Sequence, residues 1–234
     1  MANNVLNHAN NPVDFVKSVA KVLSDDGVFI FEVPYWLKMV YSGRFIDMVY
    51  HEHVSYFTIK SCRSLLKEAG MVISNYEIVD YHGGSIRVEA KLGTEEDSYV
   101  QTAVEEEEAL GLFDPSFYSG FQKKMELDRV QWLNKFYAIL AEDPTAVVIG
   151  VGAAAKANTW LNWHRLDKSL LHCITDASSA KQGKYTPLSR IPIKYDNEFA
   201  KYESPYALIL SWNISAGLKK ALLAINPNIR FISQ

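Results

Sequence analysis

A strand, a glycine-rich turn and a helix follow one another in the second half of the chain, and this block most constrains the fold. Residues 146–151 are an apolar run of strand length, Gly152 follows, and residues 153–163 are helix-forming. Strand-sized apolar runs recur further on, at residues 170–175, 206–212 and 230–233. Alternating strands and helices predict a parallel sheet covered by helices. We therefore expect an α/β domain over residues 144–234.

The first half of the chain also has an α/β pattern. A helix-like segment ends before Asp25-Asp26-Gly27, a strand-like run covers residues 28–35, and residues 58–69 predict an amphipathic helix with Gly70 at its C-cap. Residues 71–79 and 85–92 are strand-like, and period-two alternation in the second run predicts a hairpin. Residues 1–30 show no opening strand followed by a glycine-rich turn. This half is therefore expected to form a sheet that lacks its first strands.

Between these halves the sequence becomes acidic and helical. We expect two helices that connect residues 1–94 to residues 144–234, with the connector over residues 95–143. The run Glu105 to Glu108 is typical of a solvated helix face, and no role is predicted for it.

Composition excludes several classes of protein. The formal net charge of −3 is too balanced for binding nucleic acid or an anionic membrane surface. No apolar run reaches the length of a membrane span, and the polar start does not look like a secretory signal. Cys62 and Cys173 lie in segments that look buried, so reduced thiols are favoured over a disulfide. These features predict a cytoplasmic protein.

The sequence from Gly150 to Ala155 is a G-x-G-x-x-A placed between a strand and a helix. Glycines in such a turn let the backbone approach phosphate oxygens, and Lys156 adds a positive charge at the start of the helix. Asp176 ends the next strand, as in dinucleotide-binding folds. The alternative is that small residues only allow close packing of the strand and helix.

The densest polar cluster is YHEHVSYF, residues 50–57. A neutral histidine can accept a proton near neutral pH, so a site that deprotonates carbon would use one as its general base, and a tyrosine or second histidine can donate to the resulting oxyanion. The H-E-H spacing does not match H-E-x-x-H, so zinc is disfavoured, while two buried structural histidines remain an alternative. The later segment Tyr81-His82-Gly83-Gly84-Ser85 is either a hairpin turn or a binding turn.

Taken together, six blocks resemble the sugar C-methyltransferases, which act on nucleotide-linked keto-deoxysugars with S-adenosylmethionine. The blocks are ANNVLNHANNP, FEVPY, YHEHVSYF, HGGSIRV, GVGAAAKANTWLN and KQGKYTPLSRIPI, in the family's order and spacing from residue 2 onward. The resemblance implies a partial Rossmann-like methyltransferase sheet, a helical connector and a C-terminal Rossmann-like domain that binds the nucleotide-sugar. It also implies that the family's zinc-binding module and main cofactor loop are missing.

The resemblance implies a role for each matched residue. His53 would remove the proton from the carbon next to the sugar's ketone. The full set is, for catalysis, His53, Tyr50, Glu52 and His8; for the cofactor, Asn3; and for the substrate, His82, Gly83, Gly84, Ser85, Gly152, Lys156, Asn158, Lys181 and Tyr185. No residue is predicted to bind a metal.

Several alternatives remain open from the sequence. Because the glycine-rich cofactor loop is not recognised, this chain alone is expected to bind S-adenosylmethionine poorly. It would then be one half of a split enzyme, a remnant that only binds nucleotide-sugars, or part of a longer protein. An open sheet edge would favour self-association or pairing with a separate N-terminal half. A rival hypothesis is an NAD(P)-dependent oxidoreductase that uses residues 150–155 and Asp176.

Overall fold

The computed structural model of the chain describes residues 1–42, 45–81 and 83–232. The chain divides into two compact units, Met1–Gly120 and Phe121–Gln234. Both units combine helices with a β-sheet, in agreement with the predicted α/β class. The predicted connector is divided between them at Gly120.

The first unit is built on a four-stranded mixed sheet. Its strands are β1 Ala2–Asn3, β2 Phe29–Pro34, β3 Met71–Val79 and β4 Ser85–Leu92. The strand order is β1-β2-β4-β3, with β1 parallel to β2 and both other pairs antiparallel. The predicted hairpin of β3 and β4 is confirmed. No strand followed by a glycine-rich turn was expected in residues 1–30. Strand β1 lies there without leaving a periodic pattern, because it has only two residues, and Asn4 rather than a glycine follows it.

Among the described residues, five α-helices belong to the first unit. They are α1 Pro12–Val22, α2 Trp36–Tyr41, α3 Phe45–Met48, α4 Ile59–Lys67 and α5 Ser98–Ala109. The side chain of Asn11 caps α1 by accepting from the Asp14 N–H, and Pro12 occupies the first helical position. The predicted helix at residues 58–69 is confirmed as α4.

The core of the first unit lies where α1, α4 and α5 cover the sheet. Its buried residues come from every layer, including Val16 of α1, Phe31 of β2, Cys62 of α4 and Val104 of α5. Helix α4 packs against β3, α1 and α5. The acidic segment after residue 95 therefore contributes α5 to this core.

The second unit contains a parallel sheet, as predicted, with five strands rather than the four that the apolar runs indicated. Its strands are β5 Val148–Val151, β6 Cys173–Thr175, β7 Ile193–Lys194, β8 Tyr206–Ile209 and β9 Arg230–Ile232. Their order is β7-β6-β5-β8-β9, and every neighbouring pair is parallel.

Helices cover both faces of this second sheet. They are α6 Phe121–Glu142, α7 Ala155–Trp163 and α8 Ser215–Ile225. Consecutive residues Val148 and Ile149 belong to different apolar cores because side chains alternate along a strand. Within the described ranges, no helix has both the length and the hydropathy needed to cross a membrane. Cys62 and Cys173 are buried free thiols, as predicted.

Candidate functional site

The loop over residues 49–57 carries the predicted catalytic cluster of the first unit. It begins after α3 and ends where α4 starts. The backbone N–H groups of Val54 and Ser55 both donate to the carbonyl of Asn7, and the carbonyl of Phe57 accepts from the Trp36 N–H. The loop is thereby tied to the turn after β1 and to the first residue of α2.

His53 is buried in this loop, with 8% of its surface exposed. Its Nδ1 lies 2.8 Å from the carbonyl oxygen of Met48. Because a carbonyl oxygen can only accept, Nδ1 is the nitrogen that carries the hydrogen in the neutral ring. The lone pair is then on Nε2, which is the nitrogen able to take up a proton.

Aromatic rings surround the His53 imidazole. The centroids of Tyr50 and His8 lie 4.2 Å and 5.0 Å from its own, and that of Tyr56 lies 6.2 Å away. Burial, together with the charge of Glu52, raises the pKa of Tyr50 to about 12. Its phenol is therefore protonated at neutral pH and can donate a hydrogen bond.

Glu52 lies on the outer side of the loop. About half of its side chain is exposed (53%), and His51 Nε2 is 4.0 Å from its Oε1. Its influence on the cluster is electrostatic, through Tyr50. The structure therefore brings His53, Tyr50 and His8 together, with Glu52 at the exposed rim.

Asn3 ends β1 and lines a separate polar cleft of about 600 Å³. The cleft also contains Asn4, Tyr81 and the ion pair of Arg87 with the buried Glu32, whose Oε2 lies 3.0 Å from Nη2. Amide and carboxylate groups there can bind hydroxyl or amino groups.

Residues 83–85 of the predicted binding turn are held tightly by the chain. Their backbone has positive φ at Gly83 and Gly84, and a Cβ at Gly84 would lie 2.6 Å from Lys38 Cβ. The hydroxyl of Ser85 is fully buried and donates to the Tyr81 carbonyl. These bonds are those of a structural hairpin turn. The predicted residue His82 lies outside the described residues.

In the second unit, the Gly152 turn is filled by the chain's own groups. Gly152 has φ +94°, and a Cβ there would clash with Ser211 Oγ. Its N–H donates to the carbonyl of Thr175, and the next N–H, of Ala153, donates to Asp176. Gly150 lies within β5, where a Cβ would meet Ile174 at 2.9 Å. Close packing thus accounts for both glycines.

Asp176 and Lys156 are likewise engaged by neighbouring groups. Burial opposes ionisation of Asp176, but hydrogen bonds from Ser178, Lys181 and Ala153 outweigh it and hold its pKa below the usual value. Lys156 is buried, with its ammonium bonded to Asn213 Oδ1 and 4.8 Å from the Trp212 ring centroid.

Three of the predicted substrate residues meet in one cleft of about 230 Å³ beside this turn. They are Asn158, Lys181 and Tyr185, and Lys184 also lines the cleft. The Asn158 Oδ1 is buried and accepts no hydrogen bond from the described residues, and the same holds for the Oε1 of nearby Gln182. Buried oxygens of this kind are ready to accept from a ligand or water.

Comparison with known families then gives a match to the C-terminal domain of the C-methyltransferases over residues 80–232. The match covers more than half of the chain. The chain belongs to the C-methyltransferase family. C-methyltransferase NovU from Streptomyces niveus is 32% identical over 204 residues, which are 86% of this chain and 48% of NovU. The chain thus spans about half the length of that relative.

Family membership agrees with the α/β architecture of this C-methyltransferase chain. The prediction from the sequence did not include two contacts of His53, one with the Met48 carbonyl and one with the Tyr56 ring. A backbone acceptor leaves no residue signature, although Tyr56 lay within the YHEHVSYF block. Among the described residues, no group of three or more His, Cys, Asp and Glu could hold a metal ion.

Proposed function

We propose that this chain takes part in methyl transfer to the carbon next to the ketone of a nucleotide-linked keto-deoxysugar. His53 is the general base in this proposal. The observation that carries it is the Nδ1 contact with the Met48 carbonyl, which leaves the lone pair on Nε2 of a buried imidazole.

The chemistry follows from the groups around His53. A ketone acidifies the neighbouring C–H, so Nε2 takes the proton and the electron pair passes into an enolate. A protonated phenol can stabilise the enolate oxygen by donating to it, and the raised pKa keeps Tyr50 in that form. His8, whose ring centroid lies 5.0 Å from that of the imidazole, helps to orient the ring.

S-adenosylmethionine, the donor implied by family membership, supplies an electrophilic methyl group when it is bound. The residues of this chain that fit one end of such a ligand are those of the polar cleft beside Asn3, where Asn4 and Tyr81 offer further polar groups. The enolate carbon would have to face that methyl group for the transfer to occur. The main contribution of this chain to the reaction is therefore to orient His53 relative to the acceptor carbon.

The first experiment measures exchange of the acceptor-carbon hydrogen in deuterated water, which requires no methyl donor. The wild-type chain should catalyse exchange on a thymidine-diphosphate-linked keto-deoxysugar, and His53→Asn should abolish it while substrate binding persists. The matched control is His51→Asn, two residues away and 83% exposed, which should exchange at the wild-type rate. Exchange that survives in His53→Asn would remove His53 as the base.

We also propose that the cleft lined by Asn158, Lys181 and Tyr185 binds the nucleotide part of the substrate. The lysines there suit phosphate oxygens, the buried oxygen of Asn158 can accept from a base or ribose, and the exposed Tyr185 ring can stack on a base. NAD(P) would have to bind its ribose hydroxyls to Asp176, whose oxygens already accept hydrogen bonds from Ala153, Ser178 and Lys181.

Calorimetric titration with thymidine diphosphate tests this cleft, with NADH as the comparison ligand. Tyr185→Ala should weaken thymidine diphosphate binding about tenfold, the effect of losing one stacked base. Tyr195→Ala is the control, since Tyr195 is 58% exposed in the same unit but does not line the cleft. Equal affinity of both variants, or tight NADH binding by the wild type, would contradict the assignment.

A further inference from the structure

One glutamate of the acidic run is buried, contrary to the expectation of a solvated face. Glu107 is 1% exposed, whereas Glu105, Glu106 and Glu108 on either side of it are exposed. It lies on the side of α5 that packs against α4. A carboxylate so deeply buried must be satisfied by hydrogen bonds or it would destabilise the fold.

Glu107 accepts three hydrogen bonds from two other segments. Its Oε1 accepts from the Tyr35 hydroxyl at 2.9 Å and from the Ile59 N–H at 2.7 Å, and its Oε2 accepts from the Lys60 N–H at 3.0 Å. Burial, followed by the charge of Glu107, raises the pKa of Tyr35, so that hydroxyl stays a donor.

These bonds complete the N-terminus of α4. The first N–H groups of a helix have no partner within the helix. Thr58 and Ser61 form a capping box that satisfies each other's N–H groups, and Cys62 donates to the Thr58 carbonyl. The N–H groups of Ile59 and Lys60 remain, and Glu107 accepts from both. Its negative charge is also favoured beside the positive end of the helix dipole.

The segments that Glu107 joins are the supports of the His53 loop. Thr58 directly follows that loop, and Tyr35 pairs with Phe57 in an isolated parallel bridge. The N–H of Tyr35 also donates to the Gly84 carbonyl of the hairpin turn. One carboxylate therefore ties together the end of β2, the end of the loop and, through Tyr35, the turn before β4.

The support reaches the imidazole through packed rings. The Trp36 ring lies 5.3 Å from that of Tyr56, and the Tyr56 ring lies 6.2 Å from that of His53. Both Trp36 and Tyr56 are next to residues fixed by the bridge between Tyr35 and Phe57. Movement at the start of α4 would therefore shift Trp36 and Tyr56, and through them the His53 ring.

We propose that Glu107 is a positioning residue, which holds the His53 loop in register by anchoring the start of α4 to the end of β2. This proposal rests on the proposed role of His53 as the base. Glu107 itself touches no reacting atom. Its effect is on the geometry of the base, and misplacement by about 1 Å can lower a rate about a hundredfold.

The test compares Glu107→Gln and Tyr35→Phe with the control Glu108→Gln in the full chain. Glu108 is the next residue, exposed, and bonded only to the Lys60 ammonium among the pairs described. In Glu107→Gln, an amide N–H2 would face the Ile59 or Lys60 N–H. Tyr35→Phe is milder, because it removes one donor and leaves both backbone bonds.

The first readout is the ring NMR signal of His53, assigned by its loss in His53→Asn and titrated against pH where circular dichroism shows folded protein. We expect Glu107→Gln to shift the midpoint of this titration or broaden the signal, with a smaller change in Tyr35→Phe and none in Glu108→Gln. A role in stability alone would lower the melting temperature and leave the titration unchanged.

The second readout is acceptor-carbon exchange, which should fall about a hundredfold in Glu107→Gln with nucleotide affinity unchanged. Wild-type exchange together with an unchanged His53 titration in folded Glu107→Gln would overturn the proposal. If that variant does not fold, the same result in Tyr35→Phe overturns it. Exchange that persists in His53→Asn would refute the role of His53 as the base, but not the role of Glu107. The His53 ring signal in Glu107→Gln would still decide whether Glu107 positions the loop.

Discussion

Two buried carboxylates, Glu107 and Glu198, are each held by several donors, and Glu198 shows what such a residue contributes. Its side chain is 5% exposed, and its oxygens accept from Lys201 at 2.7 Å and Lys194 at 2.9 Å, with His172 Nε2 at 3.0 Å. Burial opposes ionisation, but these hydrogen bonds outweigh it and lower the pKa of Glu198 to about 2.

We expect Glu198→Gln to destabilise the second unit in a pH-dependent way. Because folding lowers the pKa from its ordinary value of 4.5, the ionised form stabilises the fold fully above about pH 4.5, and this contribution is lost as the pH falls towards 2. The free energy of unfolding should fall by about 3 kcal/mol at pH 7. Urea titrations of both proteins across this range measure it.

The matched variant for this measurement is Glu203→Gln, which changes an exposed carboxylate in the same segment. Its free energy of unfolding should stay within about 0.5 kcal/mol of the wild type. A Glu198→Gln deficit that is the same at pH 3 as at pH 7 would show that packing, rather than charge, explains the loss.

At the scale of elements, the turn between β5 and α7 depends on one backbone conformation. Gly152 combines a left-handed φ with the close approach of Ser211 Oγ, so any side chain there meets both strain and a clash. The glycines of this motif therefore serve the packing of the sheet, whatever ligand lies beside them.

Gly152→Ala should destabilise the protein by about 2–4 kcal/mol, the sum of backbone strain and overpacking. Gly183→Ala is the control for strain alone, because Gly183 also has a positive φ, +75°, but a Cβ added to it would meet no atom within 4 Å. It should cost about 1 kcal/mol. Thermal unfolding of the two variants compares these values, and equal losses would exclude the clash with Ser211.

Elements with local causes could be predicted from sequence. The hairpin of β3 and β4 follows from period-two alternation and a glycine turn, and α4 follows from its apolar face and from Gly70 after its end. The burial of Glu107 could not be predicted, because its backbone partner Ile59 lies 48 residues away. Within the run of four glutamates, nothing local distinguishes it from its neighbours.

The same distinction applies to the candidate site. The YHEHVSYF block gave the residue types of the cluster, and the structure places Tyr50 and His8 against His53. The tautomer of His53 depends on the Met48 carbonyl, which any residue at position 48 could supply. The hydrogen bond that the Ala153 N–H donates to Asp176 likewise exists only in the folded turn.

At the scale of the whole molecule, each unit has its own apolar core. The core of the first unit draws its buried residues from positions up to Val104, and the two cores of the second draw theirs from Phe136 onwards. The sequence predicted a helical connector over residues 95–143, which includes α6. The sequence of α6 contains apolar residues but does not show which sheet they cover. In the structure, Trp132, Leu133 and Phe136 of α6 pack in a core of the second unit.

Because no buried residue of either second-unit core lies before α6, residues 121–234 should fold alone. This fragment retains the whole parallel sheet and the cleft beside Tyr185. We expect a cooperative thermal transition by circular dichroism and thymidine diphosphate binding equal to that of the full chain.

The matched control is a fragment that begins at residue 138 and therefore lacks Trp132, Leu133 and Phe136. Because these residues cover the core next to α7, this shorter fragment should not fold cooperatively. Equal stability of the two fragments would show that α6 is not part of this core, and loss of nucleotide binding in a folded longer fragment would place an essential contact in the first unit.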